Sequence, residues 1–340
     1  MVYYYLGCLL YDRRAYGEAI ADYEEAARRY PDFPTGHRNL ALAYYNVKKQ
    51  PQRAYEEMEK AFALDETDAR VYLELDQLKK RLNVPVKERW SDMEKYFDLV
   101  ESRDDLYLEY VTLLNTLGEP EKALGLIKAR KFHQWEGGEG KVAAQYLTAL
   151  YQLAKAAVEK EDYAEAKELL LRAVGEYPHN LGEGKLESGQ ENNLYYLLGL
   201  VQEKLGEAKD AFESLTRACC GESEPVGMMY YNDQPPEMIY YQGLAYRMLG
   251  EEEQAVRRFQ KLVDYGREHI RDDVKIDYFA VSLPDLLIFE ENLNERNRKH
   301  CLFMMSLGLK GLGRIDEAEK CAEELLAMDN AHQEIRVHDL

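Results

Sequence analysis

YYYLGCLLYDRRAYGEAIADYEEAARRYP, residues 3–31, decides the fold. Tyr3 is followed three and four places on by Leu6 and Gly7, then by Leu10, so these side chains share one stripe of a helix. Beyond a short turn, Ala19, Tyr23 and Ala26 make a second stripe, and Pro31 stops it because proline has no backbone donor. The unit reads as a helical hairpin. Its small residues let the two backbones approach, and its large ones fill the gap to the next hairpin. A helix A and a helix B repeated about every 34 residues make a solenoid rather than a compact catalytic domain.

The arrangement returns along the chain. His37, Leu40, Ala41 and Tyr44 precede Ala54, Met58 and Ala61 in a second repeat (35–68). Residues 69–103 keep the length but lose the small residues, a degenerate repeat with Pro85 opening its second helix and Trp90 in its core. The fourth (104–130) carries Tyr107, Tyr110, Leu114, Ala123 and Ile127, and the fifth (147–180) Leu150, Ala154, Ala166, Leu170 and Ala173. The sixth (192–225) has Leu198, Gly199, Ala211, Leu215 and Ala218. The seventh (236–269) has Gly243, Ala255 and Phe259, and the eighth (299–332) Leu302, Ser306, Ala318 and Leu325. The expectation is one all-α, right-handed superhelical solenoid of about eight hairpins over residues 1–340, with long insertions at 131–146, 221–237 and 270–298. Long connections in a compact array are usually functional, and these carry aromatic and apolar residues. Residues 276–290 read as an additional helix.

Composition narrows the partners. With 63 acidic against 44 basic residues the net charge is −19, which repels phosphate backbones and anionic lipid. Neither nucleic acid nor a membrane is expected, and no run reaches the ~18 apolar residues of a membrane span. A basic or neutral ligand fits better, and the alternative is that the acids are simply solvated helix faces. Five cysteines without CxxC spacing read as small buried residues in a reducing, cytoplasmic setting. Seven histidines show no metal spacing and no GxSxG is present, so the expectation is a protein that is not an enzyme and has no metal or cofactor.

Candidate contact residues follow from the repeat. The helix-A position after the first core residue points into the inner groove and reads Tyr4, Arg38, Leu73, Leu108, Tyr151, Tyr196, Tyr240 and Phe303. Rings with a polar edge suit peptide side chains or sugar faces. The most distinctive loop is Trp135-Glu136-Gly137-Gly138-Glu139-Gly140-Lys141, where His133, Trp135 and Lys141 are candidate partner contacts and a packed turn is the alternative. Gly140-Lys141 is not a phosphate loop, since Val142 replaces Ser/Thr and no strand precedes it. Residues 227–236, with Pro235 and Pro236, read as cover for the stacking seam or as a second contact. Arg38 and Asn39 do not complete the basic set that grips a C-terminal carboxylate.

The period resembles that of the tetratricopeptide repeat. Residues 132–141, 231–236 and 277–286 are moreover similar to the C-terminal repeat region of large bacterial proteins. In those proteins a domain of unknown function, similar to galactose-mutarotase-type β-sandwiches, precedes the repeats. That resemblance implies an accessory region of a carbohydrate-related protein. It also implies that the chain is a piece of a longer protein, matching a first repeat that begins at Tyr3 without a polar cap. The function expected is a non-enzymatic scaffold for a protein or an adjoining domain of the same polypeptide. The alternative is a glycan-binding or site-completing region of a carbohydrate-related enzyme.

Overall fold

The computed structural model describes residues 1–135, 137–175, 177–185, 189–227, 233–275 and 288–338. Among the described residues there are helices and no strand. They run in hairpins: α1 (Val2–Asp12) with α2 (Tyr16–Arg29), and α3 (Pro34–Asn46) with α4 (Pro51–Leu64). Next come α5 (Ala69–Arg81), α6 (Val86–Lys95) and α7 (Phe97–Ser102), then α8 (Asp104–Thr116) and α9 (Pro120–Ala129). The pairs continue as α10 (Lys141–Glu159) with α11 (Tyr163–Val174), α12 (Asn192–Lys204) with α13 (Ala208–Ala218), and α14 (Pro236–Met248) with α15 (Glu252–His269). Last are α16 (Leu293–Gly311) with α17 (Ile315–Met328), and a short α18 (Gln333–Val337).

The spacing of small residues is the physical basis of these pairs. Gly7 lies so close to α2 that a Cβ there would meet the Tyr23 ring at 2.7 Å and the Ala19 carbonyl at 3.2 Å. The helix-B triplets Ala19–Tyr23–Ala26, Ala54–Met58–Ala61, Ala166–Leu170–Ala173 and Ala211–Leu215–Ala218 are all buried, as their helical spacing requires. Proline opens α3, α4, α9 and α14, where its missing N–H costs nothing. Asp68, Asp162 and Asn292 cap α5, α11 and α16 by accepting from backbone N–H groups of the first turn.

Several boundaries differ from expectation. The second helix of the degenerate repeat breaks at Tyr96 into α6 and α7. Its core position belongs to Arg89, wholly buried against Asp76 and Glu109, while Trp90 is half-buried. Helix α10 begins at Lys141, inside the stretch expected as an insertion, and α16 likewise begins at Leu293. Of the expected helix over 276–290, residues 276–287 lie outside the described residues and 288–290 are not helical. The chain forms two compact units. The first holds residues 1–110 and 288–291; the second holds the described residues of 111–275 and 292–338, the division falling within α8.

Candidate functional site

In the second unit, α18 crosses the face made by the first helices of the hairpins. Gln333 accepts from the Gln145 amide at 2.8 Å and donates to the Thr112 carbonyl at 3.2 Å. Gln145 in turn accepts from Asn115 Nδ2 at 2.9 Å, so a row of amides on α8 and α10 leads to α18. Lys155 donates to the Val337 carbonyl at 2.9 Å, and Ile335 and Val337 are buried. At the far end the Tyr151 and Tyr241 hydroxyls are 2.6 Å apart, and the Tyr241 hydroxyl lies 3.0 Å from His338 Nδ1. A neutral imidazole accepting at Nδ1 lets Tyr241 donate to it while accepting from Tyr151. Burial pulls the His338 pKa down to about 3, which keeps that imidazole neutral.

One carboxyl in this site is unusual. Glu237, in the first turn of α14, is buried, and the charge that acts on it is that of Glu334 on α18. Burial first, then Glu334, pushes its pKa up to about 8, so it carries its proton at neutral pH. The side chains that bond to α18 are thus amides and hydroxyls, with Lys155 bonded to a carbonyl.

Four of the five predicted rings lie in this unit, three of them buried. Tyr151, Tyr240 and Phe303 are buried, and Tyr196 is half-buried against Tyr241, ring centroids 5.5 Å apart. Tyr240 packs on Phe259 at 5.6 Å, and Phe303 on His332 at 5.1 Å. These rings support the α18 seat rather than present open faces. Sequence reasoning missed Tyr241, Gln333 and His338. The available signal was Ile335 and Val337, two apolar residues beyond the last repeat that no hairpin position needs.

The Trp135 loop is built around its own ring. A Cβ at Gly138 would meet the Trp135 indole at 2.2 Å, so only glycine lets the ring lie across that backbone. The loop is fastened to the connection after α11. Phe132 N–H donates to the Asn180 carbonyl at 2.8 Å, and the Asn180 amide donates to the carbonyls of Ile127 and Arg130. Glu183 accepts from the backbone of Gly140 and Ala143 at 2.7 and 2.9 Å, a carboxylate placed at the positive end of α10. Trp135 is half-buried, while His133 and Lys141 are exposed. Glu136 and, in the other proposed motif, residues 228–232 lie outside the described residues.

In the first unit Arg38 is taken up by the protein itself. It forks onto the buried Glu74 carboxylate at 2.6 and 2.5 Å, and Asn39 donates to the half-buried Tyr4 hydroxyl at 3.3 Å. This grip on Glu74 leaves no charged fork directed at a ligand carboxylate. His37 is held on both nitrogens, by Glu57 at 2.6 Å and the Pro31 carbonyl at 2.9 Å, a structural pairing. Leu108 is buried and Leu73 half-buried. Among the described residues no group of three His, Cys, Asp or Glu is placed to hold a metal, and no helix is long and apolar enough to cross a membrane.

Known proteins share the hairpin signature. Residues 4–69 and 151–225 match one family model described as tetratricopeptide repeat, and residues 237–265 match another of the same description. Among solved structures the chain is similar to MamA, with 19% identity over 63% of this chain and 91% of that one, TM-score 0.23. It is also similar to YrrB, described as a TPR protein with an unusual peptide-binding site (18% identity, 72% of this chain, 95% of that one, TM-score 0.25). A third is the apo form of the quorum sensor NprR from B. thuringiensis (11% identity, 96% of this chain, 86% of that one, TM-score 0.40). The matched stretches are the same hairpins that pack here through Gly7, Ala19 and their counterparts, and they are tetratricopeptide repeats.

Proposed function

We propose that the protein is a non-enzymatic interaction scaffold whose first-helix face in the second unit receives short segments of protein. The observation that carries this reading is α18 itself, a peptide-sized element seated on side chains of α8, α10 and α14 through Gln333, Val337 and His338. A surface that holds one such segment through amides, hydroxyls and aromatic walls has the chemistry to hold another of similar pattern. Partners are then neutral or basic segments, in keeping with the net charge of −19. A Gln333→Ala, Ile335→Asp double variant frees the face for proximity labelling in cells. The expected result is a protein labelled more strongly by the variant and competed away by a peptide of residues 332–338. Equal labelling by both chains, unmoved by the peptide, would sink the proposal.

A second partner class, an adjoining domain, is favoured by a separate observation. Helix α1 exposes Val2, Tyr5, Leu6 and Leu9, an apolar face at one end of the stack, where solenoids usually carry polar residues. Such a face suits a neighbouring domain of the same polypeptide, as the resemblance to the larger bacterial proteins implies. Light scattering of the chain beside a Tyr5→Lys, Leu9→Glu variant tests the competing occupant. A monomer in both cases leaves the domain reading standing, and a dimer lost in the variant replaces it with self-association. Sugar binding draws no support from the ring ladder, whose faces are packed on other side chains.

A further inference from the structure

Residues 288–290 lie in the first unit, across the ends of its first helices, although they are more than two hundred residues away in sequence. The Asn46 amide donates to the Ile288 carbonyl at 2.8 Å, and Glu290 N–H donates back to Asn46 Oδ1 at 2.9 Å. One side-chain amide thereby satisfies the two peptide groups flanking Phe289, as a residue of a neighbouring parallel strand would. Arg81 donates to the Phe289 carbonyl at 3.4 Å, and its guanidinium lies 5.4 Å from the Phe289 ring centroid. That ring is wholly buried, edge-on to Tyr45 at 5.0 Å, and Lys49 pairs with the Glu290 carboxylate. Asn46 and Arg81 are the last residues of α3 and α5, so the site runs along the turn edge of consecutive hairpins, away from the ring-ladder positions.

We propose that this edge is a peptide-binding site for an apolar–aromatic–acidic segment of a partner protein, and that Ile288-Phe289-Glu290 is its built-in occupant. Three features support replaceability. The polar contacts of Asn46 and Arg81 go to backbone atoms, which every peptide has, and the segment is not helical. Selection falls on one buried ring and one exposed ion pair. None of these groups is required by the small-and-large pattern that stacks the hairpins. The occupant in the chain competes at high effective concentration, so an external peptide gains access when the internal one is weakened.

The test uses the full chain and a fluorescein-labelled Ile-Phe-Glu-Glu peptide followed by anisotropy. Phe289→Ala removes the ring of the internal segment, and Glu290→Pro independently removes its N–H, while both leave Asn46, Arg81 and Tyr45 in place. Each variant is expected to bind the peptide at least about tenfold more tightly than wild type. Adding Asn46→Ala is expected to weaken that binding about tenfold by removing two hydrogen bonds. A peptide in which alanine replaces phenylalanine is expected not to bind. Equal binding by wild type and variants, or none by a variant whose circular dichroism melt shows it folded, overturns the proposal. Unfolding of both variants assigns the segment to the structural core and overturns it as well. This site is separate from the α18 seat, so its failure leaves the reading of that seat untouched.

Discussion

The segment at 288–290 and helix α18 are both laid on helices of their own unit, but they are held by different chemistry. In the first unit the hold is on the backbone, by Asn46 and Arg81, with one buried ring and an ion pair exposed to solvent. In the second unit α18 is held mainly by side chains: Gln333 in an amide row, His338 in a chain of hydroxyls, and a protonated Glu237 nearby. The backbone part of the first hold depends little on sequence and little on pH, and its selectivity rests on the one ring and the ion pair. The second is specific and titratable. One solenoid therefore carries two ways of storing a peptide on itself, and they should respond to different perturbations.

The largest expected effect separates the frames rather than the segments. Arg89 is buried between Asp76 and Glu109, and Arg89→Ala strands the buried Asp76 charge. Loss of one partner of such a group costs about 3–5 kcal/mol. The first unit is expected to melt earlier by that amount, with Glu290 amide protection lost while Ile335 on α18 stays protected in hydrogen exchange. Joint loss would show that the units do not behave independently.

Acidity should divide the segments next. Glu237 titrates near 4.5 when unfolded and near 8 when folded, so between those values the folded chain holds the extra proton and stability falls as pH rises. His338 moves the other way. Its ordinary value of 6.5 drops to about 3 on burial, so stability falls as pH drops through that window. Each effect is worth at most about 1.4 kcal/mol per pH unit inside its window. Protection of the α18 amides is expected to fall from pH 6.5 to 8, and Glu237→Gln to flatten that decline. The amide held by Asn46 should not follow the same profile; if it does, the contrast between the two sites is wrong.

Smaller changes sharpen the contrast. Tyr241→Phe removes the hydroxyl between Tyr151 and His338 and leaves buried polar groups without a partner, at a cost of about 1–3 kcal/mol. The loss is expected in α18 protection alone. Lys49→Ala breaks an ion pair whose two side chains are 65% and 62% exposed, and is expected to cost under about 0.5 kcal/mol in a thermal melt. A larger cost would make charge, rather than backbone, the main hold on residues 288–290.

Much of this was legible beforehand. The approach of Gly7 to Tyr23 and the buried Ala–large–Ala triplets follow from spacing within about 30 residues, where the chain's own periodicity carries the information. The groove candidates were harder. Tyr151 and Tyr240 were placed on the correct helices, but whether a ring lines an open groove or a filled one depends on what arrives from elsewhere. Arg38 likewise gave no local hint of Glu74, which comes from the next repeat.

The sequence by itself determined the hairpins, their order and the residues that let them stack, because those interactions join neighbours in the chain. Tertiary structure alone decided what lies on them. Asn46 meets Ile288 and Tyr241 meets His338 across separations of 242 and 97 residues, where no period links the partners and only the folded backbone brings a donor to its acceptor.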